Sequence, residues 1–158
     1  MGPMDYITFH LVRARFYTAN SIPNPSGAGV DSLCALENGV DTPILAITDG
    51  TSNTILITES GARPNHYLLG RDTGAGPPSA EGYGWSDPDT GSGSLDGCNQ
   101  TTGVVNPASV AANTGGTCVM NCNNDSEPYS FHTGGVNVVM ADRWCCANWS
   151  MSGPRARD

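Results

Sequence analysis

Apolar residues occur in short runs separated by long polar stretches, and none keeps the 3.6-residue spacing of an amphipathic helix. Asp5-Tyr-Ile-Thr-Phe-His-Leu-Val12 is aromatic and β-branched and predicts a strand. The Pro, Asn, Ser and Gly cluster from Ser21 to Gly29 predicts a loop. Between Pro43 and Glu59 two apolar runs flank Asp49-Gly50, a turn dipeptide. Ile55 and Ile57 face one side there and Leu56 the other, and so mixed an apolar stretch predicts burial on both faces. Gly70 to Gly97 reads as one long loop with Trp85 as its aromatic anchor. Tyr129-Ser-Phe131 and Val136-Asn-Val-Val-Met140 around His132-Thr-Gly-Gly135 predict a β-hairpin. The expected body is therefore α+β, mainly antiparallel β with little helix.

Composition narrows this picture. A chain of 158 residues has the length of one domain, and 20 Gly with 11 Pro against 38% hydrophobic residues predict a small core in a loop-rich shell. All seven basic residues are arginines, and the net charge of −8 repels nucleic-acid phosphates and anionic lipid headgroups. The same charge attracts hard divalent cations to Asp-bearing loops. Six cysteines point to disulfides and an oxidising compartment and leave the connectivity open. Cys118 and Cys122 enclose a short loop, whereas a bond between the adjacent Cys145 and Cys146 would be strained. No paired Cys or His motif of zinc spacing accompanies Cys118-x3-Cys122. No run approaches the roughly 20 apolar residues of a membrane span, and no export signal stands at the start. Exported chemistry without a signal, on a chain that begins directly on a strand, leads us to expect a fragment of a longer protein.

Two motifs carry a family resemblance. Cys118-Val-Met-Asn-Cys-Asn-Asn-Asp-Ser-Glu-Pro-Tyr-Ser-Phe-His-Thr-Gly-Gly-Val-Asn-Val-Val-Met-Ala-Asp142 resembles the C-terminal signature of the planctomycete-type family of type IV prepilin-like proteins, marked by Ser-Phe-His-x-Gly-Gly and His-x9-Asp-Gly. His132 and Asp142 stand at that spacing. Ile47-Thr-Asp-Gly-Thr-Ser-Asn-Thr-Ile55 with Glu59 is similar to the family's other signature. The resemblance implies a pilin- or pseudopilin-like head dominated by an antiparallel sheet, with an N-terminal hydrophobic helix that this chain lacks. It also implies an extracellular or periplasmic location, prepilin processing, and envelope or secretion-system proteins as partners, as in type II secretion. Residues 1–142 are expected to form this head. Residues 143–158 begin Arg143-Trp-Cys-Cys-Ala-Asn-Trp149 where the family closes with a Gly-Ser-Val-Arg-Phe strand, and form an atypical tail whose expected origin is an altered reading frame or a cloning boundary.

Three groups of residues are candidates for chemistry. Ser130, His132 and Asp142 offer a nucleophile, a base and an orienting acid, since residues two apart on a strand face the same side. The Gly-x-Ser-x-Gly elbow is absent, and a turn histidine bonded within its hairpin accounts for the motif more simply. His10, His66 and His132 lie too far apart in sequence to write a dinuclear zinc motif. Asp72, Asp87, Asp89 and Asp96 line the Gly-rich loop as calcium ligands, with Asn123, Asn124 and Asp125 as a second oxygen cluster. Pseudopilins often hold calcium in a head-domain loop, so the resemblance adds to that expectation. The expected function is a calcium-binding, pilin-like module in envelope assembly or secretion-system contacts. The alternative is a calcium-dependent hydrolase of small ester or lactone bonds, of the acyl-homoserine-lactone, quorum-quenching type, with a small lactone or ester ligand.

Overall fold

A computed structural model describes residues 5–36, 39–76, 93–105, 115–133 and 135–142, together with the backbone of 144 and 145. Strand β1, Tyr6–Val12, leads directly into a short helix α1, Ala14–Asn20. Strands β2 (Ser32–Leu33), β3 (Ile55–Glu59), β4 (Tyr67–Leu68), β5 (Arg71–Asp72), β6 (Gly93–Leu95), β7 (Val138–Met140) and β8 (Trp144–Cys145) follow. Six of them make one sheet in the order β2-β1-β3-β7-β8, with β6 joined to β1, and β4 pairs with β5 as a separate hairpin. Every pairing is antiparallel except that of β6 with β1.

β1 meets three partners because its length allows it to be shared. Tyr6 to Thr8 pair with β3, Leu11 and Val12 with β2, and Phe9 to Val12 with β6. Its alternation puts Ile7 in the interior at 2% exposure. β6 approaches β1 so closely that a Cβ at Gly93 would stand 2.9 Å from the Thr8 carbonyl oxygen, which only glycine avoids. The apolar centre is small: Val136, Val138 and Met140 pack together with Met120 against them. Buried polar and charged side chains outnumber buried apolar ones among the described residues.

Several sequence expectations change. Helix α1 was not legible because its seven residues span only two turns, and its start is stabilised from a distant loop. Asp31 accepts the Ala14 N–H at 2.8 Å and the Arg13 guanidinium at 2.9 Å, supplying an anionic cap that the local sequence lacks. The helix ends at Ser21, in the left-handed region at φ 54°, where the Ser21 and Ile22 N–H groups bond back to Thr18 and Tyr17. Ile44–Ala46 is a 3-10 turn rather than a buried run, with Ile44 63% and Leu45 92% exposed, so burial on both faces does not hold there. The expected hairpin around His132 does not form. Tyr129 bridges Ser60 in parallel while β7 pairs with β3, so both arms lie along the same segment instead of along each other. β5 and β6 stand inside the stretch read as one loop, of which residues 77–92 lie outside the described set. Trp144 and Cys145 of the tail pair with Val139 and Val138, since a ladder asks only for backbone groups.

A second seam joins the end of β6 to the segment after residue 115. Cys98 and Cys118 exchange both backbone hydrogen bonds, at 2.6 and 3.1 Å, and Gly116 donates to the Gly97 carbonyl at 3.0 Å. A Cβ on Gly116 would run into the Cys98 carbonyl, which is backbone and cannot swing aside. Gly116→Ala is therefore expected to cost about 1–3 kcal/mol or more in urea denaturation. Gly61→Ala, whose Cβ would meet its nearest neighbour at an ordinary 3.7 Å, is expected to be neutral or slightly stabilising.

Candidate functional site

The segment from Cys118 to Ser130 has no regular structure, yet most of its side chains are inside. Asn, Asp and Ser here take over the work of a ladder by bonding main-chain groups directly. Asn124 is fully buried and donates to the carbonyls of Gly61 at 3.0 Å and Asn65 at 2.8 Å, while its Oδ1 accepts the Tyr67 N–H at 2.7 Å. Asn123 donates to the Gly103 carbonyl at 3.0 Å, and its Oδ1 accepts the Asp125 N–H at 2.6 Å and lies 3.3 Å from His66 Nε2. Asn121, in the left-handed region at φ 59°, accepts the Ser130 N–H at 2.8 Å. Arg63 is 3% exposed, donates to Ser60 Oγ at 3.3 Å and bonds the Asp125 carbonyl. Ser60 Oγ donates in turn to the carbonyl of Glu127 at 3.2 Å.

Glu127 lies at the inner end of this network. It is wholly buried; its Oε1 accepts the N–H groups of both Asp96 and Gly97 at 2.8 Å, and its Oε2 has no hydrogen-bond partner among the described residues. Beside it, the Asp96 carboxylate takes the Arg15 guanidinium at 2.8 Å and the Ser94 hydroxyl at 3.1 Å, with Arg13 Nε at 3.8 Å. Burial pushes the Glu127 carboxyl up to about 8; the Asp96 charge adds to the rise, and the Asp96 and Gly97 N–H groups and Arg15 oppose it. Burial, joined by the charges of Glu127, Asp96 and Asp125, likewise raises the Cys98 thiol far above its ordinary value.

The sequence candidates are placed as follows. Ser130 Oγ accepts the His132 N–H at 2.9 Å, so the two residues close a local turn. The His132 imidazole is 64% exposed and reaches Glu59 Oε1 at 3.4 Å, while Glu59 Oε2 holds both the backbone and side-chain N–H groups of Asn137. Asp142 accepts the Ser52 hydroxyl at 2.5 Å. Its neighbour Ala141 bonds Thr54, just before β3, whereas His132 meets Glu59 at the end of β3. Roughly 15 Å of strand separates those places, so Ser130, His132 and Asp142 do not come together. Phe131, 63% exposed, stands edge-on to Tyr67 and Tyr129 at centroid distances of 5.1 and 5.6 Å.

Of the calcium candidates, Asp72 is exposed and accepts the Gly74 N–H at 2.8 Å within its turn, and Asp96 is spent on Arg15 and Ser94. Asp87 and Asp89 lie outside the described residues. Asn123 and Asn124 serve the backbone, and the Asp125 carbonyl receives Arg63. Among the described residues no group of three or more His, Cys, Asp or Glu side chains is placed to hold a metal ion. Glu127 and Arg15 escaped the sequence reading because their partners are 31 and 81 positions away. The polar run between Cys122 and Tyr129 was the one visible signal.

Residues 21–142 match the family described as protein of unknown function, DUF1559. The chain belongs to that family. DUF1559 is a family of planctomycete-type pilin-like proteins, which agrees at that level with the resemblance drawn from the two motifs. No curated protein and no solved structure matches this DUF1559 chain. The match covers the 118–130 segment whole, and β1 and all of α1, with Arg13 and Arg15, lie ahead of it.

Two outcomes follow from the buried acids. Asp96→Asn leaves Arg15 without its counter-charge, and a loss of about 3–5 kcal/mol is expected, equal in calcium and in chelator. A loss confined to calcium-containing buffer would make Asp96 a metal ligand instead. Glu127 is raised in the folded state, so its contribution is fully present below its unfolded value near 4.5 and is lost as pH rises through about 8. Wild type minus Glu127→Gln, measured by denaturation from pH 5 to 8.5, should therefore fall by a few kcal/mol as pH rises. A flat difference would show that Glu127 is ionised throughout.

Proposed function

We propose that this DUF1559 chain is a pilin- or pseudopilin-like head that works through contacts with envelope or secretion-system proteins at the extracellular or periplasmic side. The observation that carries the proposal is the use made of the reactive side chains. Ser130 is turned onto the His132 backbone, His132 onto Glu59 and Asp142 onto Ser52, at two ends of one strand. A hydrolase needs its nucleophile, base and orienting acid in one hydrogen-bonded chain. The mainly antiparallel sheet, the one short α-helix among the described residues and the Cys118–Cys122 disulfide suit an exported head. No helix among the described residues is long and apolar enough to cross a membrane. Calcium binding stays in the proposal only for the segment carrying Asp72, Asp87 and Asp89, since Arg15 already neutralises Asp96.

Ester and lactone hydrolysis by the purified protein tests the proposal against its rival. Turnover is expected near background, with Ser130→Ala, His132→Ala and Asp142→Asn each changing it less than about tenfold, because acid-base groups contribute about 10²–10⁴. A thousandfold loss of kcat on His132→Ala with an unchanged circular dichroism spectrum would overturn the structural role. For calcium, a hundredfold excess over Kd should raise the Tm by several degrees and magnesium by much less. An unmoved melt removes calcium from the function.

A further inference from the structure

Three cysteines meet at the seam between β6 and the 118–130 segment. Cys118 is bonded to Cys122, with Cα atoms 6.3 Å apart, and Cys98 is wholly buried and, among the described residues, a free thiol. Cys98 is also the direct cross-strand partner of Cys118, through two reciprocal backbone hydrogen bonds. Directly opposed residues in such a bridge point their side chains to the same face, with Cα atoms about 5.5 Å apart, inside the Cα range of a disulfide, while their Cβ atoms, also about 5.5 Å apart, must close by about 1 Å for the bond to form. The glycine contact between Gly116 and Cys98 keeps the two backbones at that approach. The Cys118 sulfur therefore has two neighbours, Cys122 bonded to it and Cys98 reduced on the same face, the second brought into reach as the seam shifts.

We propose that Cys98, Cys118 and Cys122 form one thiol–disulfide exchange site, in which Cys118 pairs with either neighbour. The Cys98 thiolate attacks the Cys118 sulfur; the Cys98–Cys118 bond forms, the Cys118–Cys122 bond breaks, and Cys122 leaves as a thiolate that takes up the proton lost by Cys98. Oxidation state is conserved, so no external oxidant or reductant takes part. The exchange replaces a ring of sequence separation 4 with the longer loop between positions 98 and 118, which restrains the unfolded chain more. It also fixes β6, and with it the Asp96 and Gly97 donors of Glu127, covalently to the 118–130 segment. Burial and the nearby Glu127, Asp96 and Asp125 disfavour the Cys98 thiolate, which makes the exchange slow in the closed protein and faster when the seam opens.

Met120 lies between Cys118 and Cys122, and this makes the test direct. The full chain is held without reductant at pH 8.5, with and without urea below its unfolding transition. It is then quenched in acid, blocked with N-ethylmaleimide under denaturing conditions and cleaved after methionine with cyanogen bromide. In the starting form the fragment 121–140 stays joined to the fragment carrying Cys98 and Cys118. Exchange releases it with Cys122 blocked, and at least about a tenth of the molecules are expected to release it, more in urea. Cys98→Ser should abolish the release. Retention of the 121–140 fragment in all molecules, or release that persists in Cys98→Ser, overturns the proposal. As a second arm, Cys122→Ser incubated with oxidised glutathione should yield an internal Cys98–Cys118 bond. A natively folded Cys122→Ser whose Cys98 stays fully reactive to maleimide after denaturation, or pairs with Cys34, Cys145 or Cys146, overturns it as well.

Discussion

Each polar group removed from water must find a partner, and in this chain that requirement shapes the molecule more than apolar contact does. Asn124 shows it most fully: one amide side chain satisfies two carbonyls and one N–H from the 61–67 segment. An unmet buried donor or acceptor costs about 1–3 kcal/mol, whereas a met one contributes about 1. The irregular 118–130 segment can therefore be buried only because Asn121, Asn123 and Asn124 sit where backbone groups need them. The regular sheet supplies less: an apolar cluster of Val136, Val138 and Met140 with Met120 beside it.

The same segment connects the two halves of the fold. Toward β3 it offers Tyr129, whose N–H bonds the Glu59 carbonyl and whose carbonyl takes the Gly61 N–H. Toward β6 it offers Glu127, which closes the backbone of Asp96 and Gly97, and Cys118, which bridges Cys98. β6 in turn pairs with β1, and Asp96 holds Arg15 of the helix that follows β1. Sheet, helix and loop thus share one set of buried acids, amides and arginines. A group left half satisfied inside such a network is costly, and burial with Oε2 unpartnered among the described residues raises the Glu127 carboxyl above its usual range.

This arrangement bears on function. Ser130, His132 and Asp142 are held in turn closures and local hydrogen bonds, and Phe131, edge-on to Tyr67 and the buried Tyr129, faces outward beside an exposed His132. The proposed role in contacts with other proteins draws on these exposed features and on that polar-locked frame. The frame also requires glycine at Gly93 and Gly116, where two backbones approach too closely for any Cβ.

The sequence by itself determined the strand at Tyr6–Val12, the strand Ile55–Glu59 after the Asp49-Gly50 turn, the loop-rich shell, the mainly antiparallel class and the family. Those features rest on local alternation, on turn chemistry or on contiguous motifs, all of which can be read along the chain. Tertiary structure alone decided which segments pair. It set Tyr129 and β7 along the same segment rather than against each other, capped α1 with Asp31, exposed Ile44 and Leu45, and gave Asp96 to Arg15. Each of those outcomes depends on a partner far along the chain, 81 positions in the case of Arg15 and Asp96. A carboxylate in a Gly-rich stretch looks the same in sequence whether it will face water, a cation or a buried guanidinium, because only the folded neighbours fix its solvation and its charge partner.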